Sequence, residues 1–278
     1  MDIGLIGAGK VGFSLGKYLS LHKISISGYY SQNPKSSKEA AEFTGTKAFN
    51  TMKQIVEVSD VLFLTVPDGH IAPLWEKLKE KDLAGKIIAH CSGALTTDVF
   101  QGADPATSLY SIHPLLAVSD KYESYKIFKD ALFTIEGSPE NMDKMCILFS
   151  SCGNRIQPIR KESKMLYHAA AAVASNFMVT IADSAQEVLK RCGFSDEMAK
   201  DALSVLMREN INSVIENGTE AALTGPIERN DAGTVKGHLS VLTEEEKALY
   251  LALARRTMKL AERKHPERSY QEMEEVLK

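Results

Sequence analysis

The chain has 278 residues, enough to bury a full core and better suited to two domains than to one or three. A formal net charge of −3 and a pI near 6.2, with no block of like charge, leave no electrostatic footprint for nucleic acid or an anionic membrane. Cys91, Cys146, Cys152 and Cys192 show no CxxC spacing, so neither a metal site nor a disulfide framework is expected.

The first predicted element is a short apolar strand, Ile3 to Ile6, which starts so close to Met1 that no signal or transit peptide is expected. Gly7-Ala8-Gly9-Lys10-Val11-Gly12 follows, and then a helix over Phe13 to Leu19. In a dinucleotide-binding turn the three glycines have separate roles. Gly7 permits the tight turn, Gly9 lets the backbone approach a pyrophosphate, and Gly12 lets helix and sheet pack closely. The free amides and positive dipole end of the helix then hold the phosphates. The alternative, a bare glycine turn, does not need this strand-turn-helix setting.

A second strand spans Ile24 to Tyr30. An NAD site wants a carboxylate near here for the ribose 2′-hydroxyl, but the strand runs into Tyr30-Ser31-Gln32-Asn33 with Lys35, Ser36 and Ser37 behind. Nothing repels a 2′-phosphate, and Tyr30, Ser31, Gln32 and Lys35 are available to hold one, which favours NADP. Helices are predicted over Ser37 to Phe43 and Met52 to Val58, then a near-continuous apolar strand from Asp60 to Val66 that reads as part of a parallel sheet covered on both faces. It stops at Pro67-Asp68-Gly69. After a helix from Ile71 to Lys79, strand Lys86 to His90 ends in Cys91-Ser92-Gly93. Val66-Pro67 and Ser92-Gly93, at the ends of these strands, are the further expected cofactor contacts.

Strands Ser108 to Ile112 and Leu132 to Glu136 are predicted to flank a loop opened by His113-Pro114. A helix from Glu140 to Phe149 and a strand from Arg155 to Ile159 complete the α/β part. From Lys161 onward only helical periods remain, so the predicted domains are 1–160 and 161–278. The first long helix, Lys161 to Lys190, is expected to place Met165, Val173, Phe177, Ile181, Val188 and Leu189 in the core. Its most apolar run, Leu166 to Ala182, carries His168, Ser175 and Asn176 and reads as a buried helix rather than a membrane span, which implies a soluble cytoplasmic protein. Lys164, His168, Ala171 and Ser175 fall on one stripe of this helix, with Asn176 one residue round. A site along that stripe competes with a satisfied core histidine and a solvated lysine. Further on, Thr224, Arg229, Asp231, Thr234 and His238 crowd one loop and one helical turn, where Gly225-Pro226 breaks a helix and Asp231 is a natural N-cap. Helices over Glu244 to Arg263 and Ser269 to Leu277 close the chain.

With Leu5 to Gly12, His90 to Gly93, Tyr167-His168-Ala169-Ala170 to Asn176, and Leu223-Thr224-Gly225-Pro226 through Thr234 to His238 in hand, the whole chain resembles the bacterial Rossmann-like NADP oxidoreductases with a helical C-terminal domain of unknown function. Some of these act as alternative ketopantoate reductases in pantothenate biosynthesis. The layout is also similar to ketopantoate reductases, β-hydroxyacid dehydrogenases and pyrroline-5-carboxylate reductases. The resemblance implies a Rossmann domain with a mostly parallel sheet, an all-α second domain of the 6-phosphogluconate-dehydrogenase-like type, and a homodimer. In the broader group a catalytic lysine opens a K-x-x-x-N motif. Lys164 matches the lysine, but His168 stands at the asparagine position and Ala172 at the next asparagine position, so the conventional mechanism does not carry over unchanged.

The expected reaction is hydride transfer from NADPH to the carbonyl of a small oxo acid, with ketopantoate the best guess. Lys164 or His168 would be the general acid, and Asn176 would orient the oxo group. Ser92, Thr224 and Arg229 would clamp a carboxylate, with His113 and Asp231 as further substrate contacts. An imine reductase, or a dinucleotide-binding protein without catalysis, are the alternatives.

Overall fold

The computed structural model covers residues 1–278 and divides into two compact units, Met1–Ser175 and Asn176–Lys278. The first is built on an eight-stranded sheet of order β3-β2-β1-β4-β5-β6-β7-β8. Its strands are β1 (Ile3–Ile6), β2 (Ile26–Tyr30), β3 (Ala48–Phe49), β4 (Val61–Leu64), β5 (Ile87–His90), β6 (Ser108–Pro114), β7 (Leu132–Gly137) and β8 (Arg155–Pro158). All pairings are parallel except β6 with β7. β1, β4 and β5 are buried at every position, as strands covered on both faces must be.

Five helices cover this sheet: α1 (Lys10–Leu21), α2 (Pro34–Thr44), α3 (Met52–Glu57), α4 (Asp68–Leu78) and α5 (Met142–Ser150). Local chemistry fixes their ends. Asn33 caps α2 by accepting from the Lys35 amide, with Pro34 at its first position and Gly45 left-handed at its end. Thr51 and Gln54 form a reciprocal capping box on α3. One core layer gathers Phe13, Tyr18, Leu19, Phe63, Phe133 and Phe149. The other gathers Ile6, Ile55, Leu64, Ile71, Trp75 and Phe100, with the Trp75 indole donating to the Gln101 carbonyl at 2.9 Å.

His113-Pro114 does not open a loop, as the sequence suggested, but ends β6: His113 pairs with Thr134 and Pro114 with Phe133. Proline normally demotes a strand because it lacks a ladder donor. Here β5 pairs with β6 only as far as Ser111, so beyond it one edge of β6 is open and the missing donor costs nothing on that side.

The predicted helix over 161–190 is two helices, α6 (Lys164–Ala174) in the first unit and α7 (Asn176–Arg191) in the second. Ser175 breaks the run at φ −115, ψ −73. Serine and asparagine compete with the helix for backbone hydrogen bonds, which makes the Ser175-Asn176 step a natural break. Lys164, His168 and Ala171 therefore share α6, while Ser175 ends it and Asn176 begins α7, and the compact first unit extends about 15 residues past the change of periodicity near 160.

The second unit is all-α: α7, α8 (Asp196–Ala222), α9 (Ala232–Val241), α10 (Glu244–Lys264) and α11 (Gln271–Val276). Gly218 interrupts α8 with φ 82. Its core is small, centred on Val235, Ala254, Met258, Ala261, Tyr270 and Met273. No residue of α7 is buried, and only Ala199 of α8 is. The expectations that the 166–182 run is buried and that Met165 packs in the core therefore fail within one chain: Met165, Leu166, Val173, Phe177 and Val179 are all more than half exposed. The 161–191 segment is long and apolar enough to cross a membrane, although it bends at Ser175. Helical periodicity reports that a face needs covering; it does not say by what.

Candidate active site

At the carboxyl end of β1 the chain is tied into a tight knot. Gly7 has φ +112, and a Cβ there would sit 2.7 Å from the Thr65 carbonyl oxygen. A Cβ on Gly12 would sit 2.5 Å from the Gly7 carbonyl oxygen and 2.7 Å from Thr65 Oγ1, which itself donates to Gly7 O at 2.7 Å. Gly9 is different. As N-cap of α1 it lacks a side-chain cap, and a Cβ there would find nothing of the chain nearer than 3.9 Å. The first-turn amides of α1 thus face open space beside Gly9, which fits a diphosphate.

Beside this knot lies a cleft of about 230 Å³ lined by Tyr30, Ser31 and Gln32 from the end of β2, Val66 and Pro67 beyond β4, and residues of α4. The expected contacts Gly7, Tyr30, Ser31, Gln32, Val66 and Pro67 all line it. Lys35 does not; it is exposed at the start of α2. The sequence reading missed His70, Leu74 and Lys77 of α4. Their i, i+4, i+7 spacing just after Pro67 was the available signal. The cleft carries no carboxylate and one cation, Lys77, so its lining suits a phosphorylated ribose.

At the carboxyl ends of β5 and β6 the polar residues are buried and linked. His90, fully buried, accepts from the Ser92 amide through Nδ1 at 3.2 Å, and its Nε2 meets the Thr96 carbonyl at 3.2 Å, which fixes an uncharged tautomer. Burial pushes its pKa down to about 4. The Ser92 hydroxyl donates to Asp68 Oδ2 at 2.7 Å and accepts from the amides of Ala94 and Leu95, so its hydrogen-bonding capacity is filled.

Lys164, at the start of α6, is 0 % exposed. Its Nζ donates to Ser111 Oγ at 2.5 Å, and that hydroxyl donates to the Ser92 carbonyl at 3.2 Å. Burial pushes the ammonium down to about 8, against the pull of Glu136, Cys91 and Asp68. Glu136 in turn accepts from the Thr97 amide and hydroxyl at 3.0 and 2.7 Å. Burial holds Cys91 up at about 12, a protonated thiol with no nucleophilic character near neutrality.

His113 Nδ1 and the Tyr167 hydroxyl are 2.7 Å apart, with the rings edge to face at 80°. Burial, then the Lys164 charge, pushes His113 down to about 4. His168 packs its Nδ1, sealed and without a hydrogen-bond partner, against Gly93. Lys164, His168, His113, Ser92 and Gly93 are thus gathered in one place within the first unit, together with Tyr167, which the sequence reading quoted within a motif but gave no role.

The other predicted residues belong to the second unit. Asn176 is exposed at the start of α7, and Thr224 and Arg229 are exposed on the loop before α9. Asp231 serves as the N-cap of α9, accepting from the Thr234 amide at 3.0 Å and its hydroxyl at 2.6 Å. The same loop is tied down through Glu228, whose carbonyl accepts from Arg268 and Tyr270 and whose carboxylate meets His265.

Strand order 3-2-1-4-5-6, an open glycine cradle at the point where that order reverses, and a polar cluster at the neighbouring strand ends define a dinucleotide-binding fold of the Rossmann class. Comparison with known families agrees: residues 2–92 match the family described as NADP oxidoreductase, coenzyme F420-dependent, and residues 131–257 match a domain of unknown function, DUF2520. The chain is therefore an NADP-oxidoreductase Rossmann domain joined to a DUF2520 domain. No curated protein matches it. Among solved structures it is similar to a protein from Thermotoga maritima (24 % identity, 95 % of this chain and 99 % of that one, TM-score 0.76). It is also similar to a candidate NADP oxidoreductase from Bacteroides fragilis (23 %, 93 % and 98 %, 0.72). A Plasmodium falciparum pyrroline carboxylate reductase with NADP bound shares the fold at 13 % identity (95 % and 97 %, 0.63).

Proposed function

We propose that the protein is an NADPH-dependent reductase that acts on the carbonyl of a small oxo acid, with ketopantoate the first compound to try. NADPH, when bound, supplies the hydride. The chain's own residues hold its diphosphate at the α1 amides, its phosphorylated ribose beside Tyr30, Ser31 and Lys77, and manage the proton at the reacting atom. The observation that carries this reading is the linked set of buried polar groups at the ends of β5 and β6, one strand beyond the glycine cradle. A structural role alone does not call for a fully buried lysine and two uncharged imidazoles at a strand-end crevice.

Lys164 sits too deep to touch a substrate directly, so it is better suited to setting the charge around the histidines than to delivering a proton itself. A second reading, an imine reductase, has the likeness to the Plasmodium falciparum enzyme in its favour, and an iminium carbon needs hydride without protonation of an oxygen. NADPH oxidation with ketopantoate, short 2- and 3-oxo acids and pyrroline-5-carboxylate separates the two. Turnover is expected on at least one oxo acid; turnover on the cyclic imine alone selects the second reading, and none despite NADPH binding removes both. We further propose a homodimer, supported by the uncovered apolar faces of α7 and α8.

A further inference from the structure

We propose that His113 is the catalytic proton donor and Tyr167 its positioning partner: Tyr167 donates to Nδ1, which leaves the Nε2–H of His113 directed over Gly93 towards the reacting oxygen. The inference deepens the reductase reading above and rests on it for the reaction.

Four observations converge on this pair. The Nδ1 to hydroxyl distance of 2.7 Å in an edge-to-face arrangement is a good hydrogen bond and occupies that nitrogen. Nε2 makes no hydrogen bond within the chain, and it is not among the sealed polar atoms, whereas His168 Nδ1 is. It lies 3.0 Å from the point a Cβ on Gly93 would occupy. Gly93 does not adopt a positive φ, so its backbone does not require glycine; the space does, because any side chain there would meet both His113 and His168. Finally, the Lys164 charge lies 6.0 Å from the centre of the Tyr167 ring, and burial raises the phenol above its ordinary range, so Tyr167 keeps its proton at rest and is the donor to Nδ1. The same charge, with burial, keeps His113 unprotonated across the neutral range, so the proton given up is the one on Nε2 of a neutral ring.

The step balances. As the carbonyl carbon accepts hydride, a C–H bond forms, the C–O π bond breaks, and its electron pair goes to oxygen. That oxygen takes the Nε2 proton while Nδ1 takes the proton of Tyr167. His113 is then neutral with its proton on Nδ1; that proton returns to the Tyr167 phenolate while Nε2, on the open side, takes one from solvent, which restores both groups. An iminium substrate needs none of this.

The test uses the full chain and has two arms. In ¹⁵N-histidine NMR from pH 5 to 9, His113 is expected as the uncharged Nε2–H tautomer throughout, with Tyr167→Phe giving a mixed tautomer. A proton on Nδ1, or ionisation near pH 6.5, overturns the proposal without any substrate. In NADPH oxidation with the oxo-acid panel, Tyr167→Phe is expected to lower kcat by about 100-fold, the lower end of the usual span for general acid catalysis, with NADPH affinity unchanged. His113→Asn is expected to lower kcat at least as much. If the wild type turns over an oxo acid and Tyr167→Phe matches it, the pair falls and the reductase stands. If the wild type binds NADPH but reduces nothing, the reductase reading falls and the catalytic role of His113 with it, whatever its tautomer.

Discussion

At the scale of single residues, the site is shaped by what burial does to charge. Lys164 is enclosed, so its ammonium loses hydration, and Glu136 and Asp68 only partly make up for it. Its pKa falls from 10.5 to about 8 on folding, so between those values the unfolded chain binds the proton more tightly. The protonated lysine therefore opposes folding at pH 7, and the penalty fades as pH rises through that window. Lys164→Met is expected to stabilise the protein by roughly 2 kcal/mol at pH 7, about 4–8 °C in Tm, with the gain shrinking by pH 10. Thermal melts at the two pH values check both size and sign. The lysine at position 164 was legible as a candidate in the sequence; its depth was not, because depth depends on Ser111 and Glu136, more than fifty and nearly thirty residues away.

At the scale of elements, the β1-turn-α1 segment separates binding from stability. Gly7 and Gly12 are glycines because Thr65 presses on both, with Val66 beside Gly7 and the Gly7 carbonyl beside Gly12; Gly9 is a glycine although nothing of the chain presses on it. Gly9→Ala has an ordinary φ of −86 to occupy and open space for its methyl. It is expected to leave Tm within about 1 °C, as a substitution without a clash should, while weakening NADPH by ten-fold or more, because the methyl takes the space of a phosphate. Fluorescence titration with NADPH beside a thermal melt reads both; equal losses in the two would mean that the turn serves only to pack α1. This element was read correctly from sequence because a glycine turn between a strand and a helix is a local pattern. The α4 lining was missed since His70 and Lys77 become neighbours of Tyr30 only through the pairing of β2 with β1 and of β1 with β4.

At the scale of the whole molecule, the two units differ in self-sufficiency. The first closes the apolar surface of its sheet in two layers and leaves uncovered apolar residues, Met165, Leu166 and Val173, on α6. The second leaves Phe177, Val179, Met198, Val205, Leu206 and Ile215 exposed along α7 and α8, an uncovered set of large apolar side chains. A second copy would cover such a face in an isologous contact. Sedimentation at micromolar concentration is expected to give twice the 30.5 kDa chain mass. Val179→Glu with Leu206→Glu is expected to return the monomer and lower Tm; an unmodified chain that sediments as a monomer removes the dimer.

Sequence alone determined the parts of this protein that depend on neighbours along the chain: alternating apolar runs and caps fixed most strands and helices, and the glycine spacing with the missing carboxylate after β2 pointed to NADP. The tertiary structure decided what depends on contacts between distant segments. It carried β6 through His113-Pro114, since its open edge tolerates a proline, and it broke the 161–190 helix at Ser175. It also buried Lys164 and joined His113 to Tyr167 over Gly93, because three separate segments meet there and no periodicity within one of them records the others.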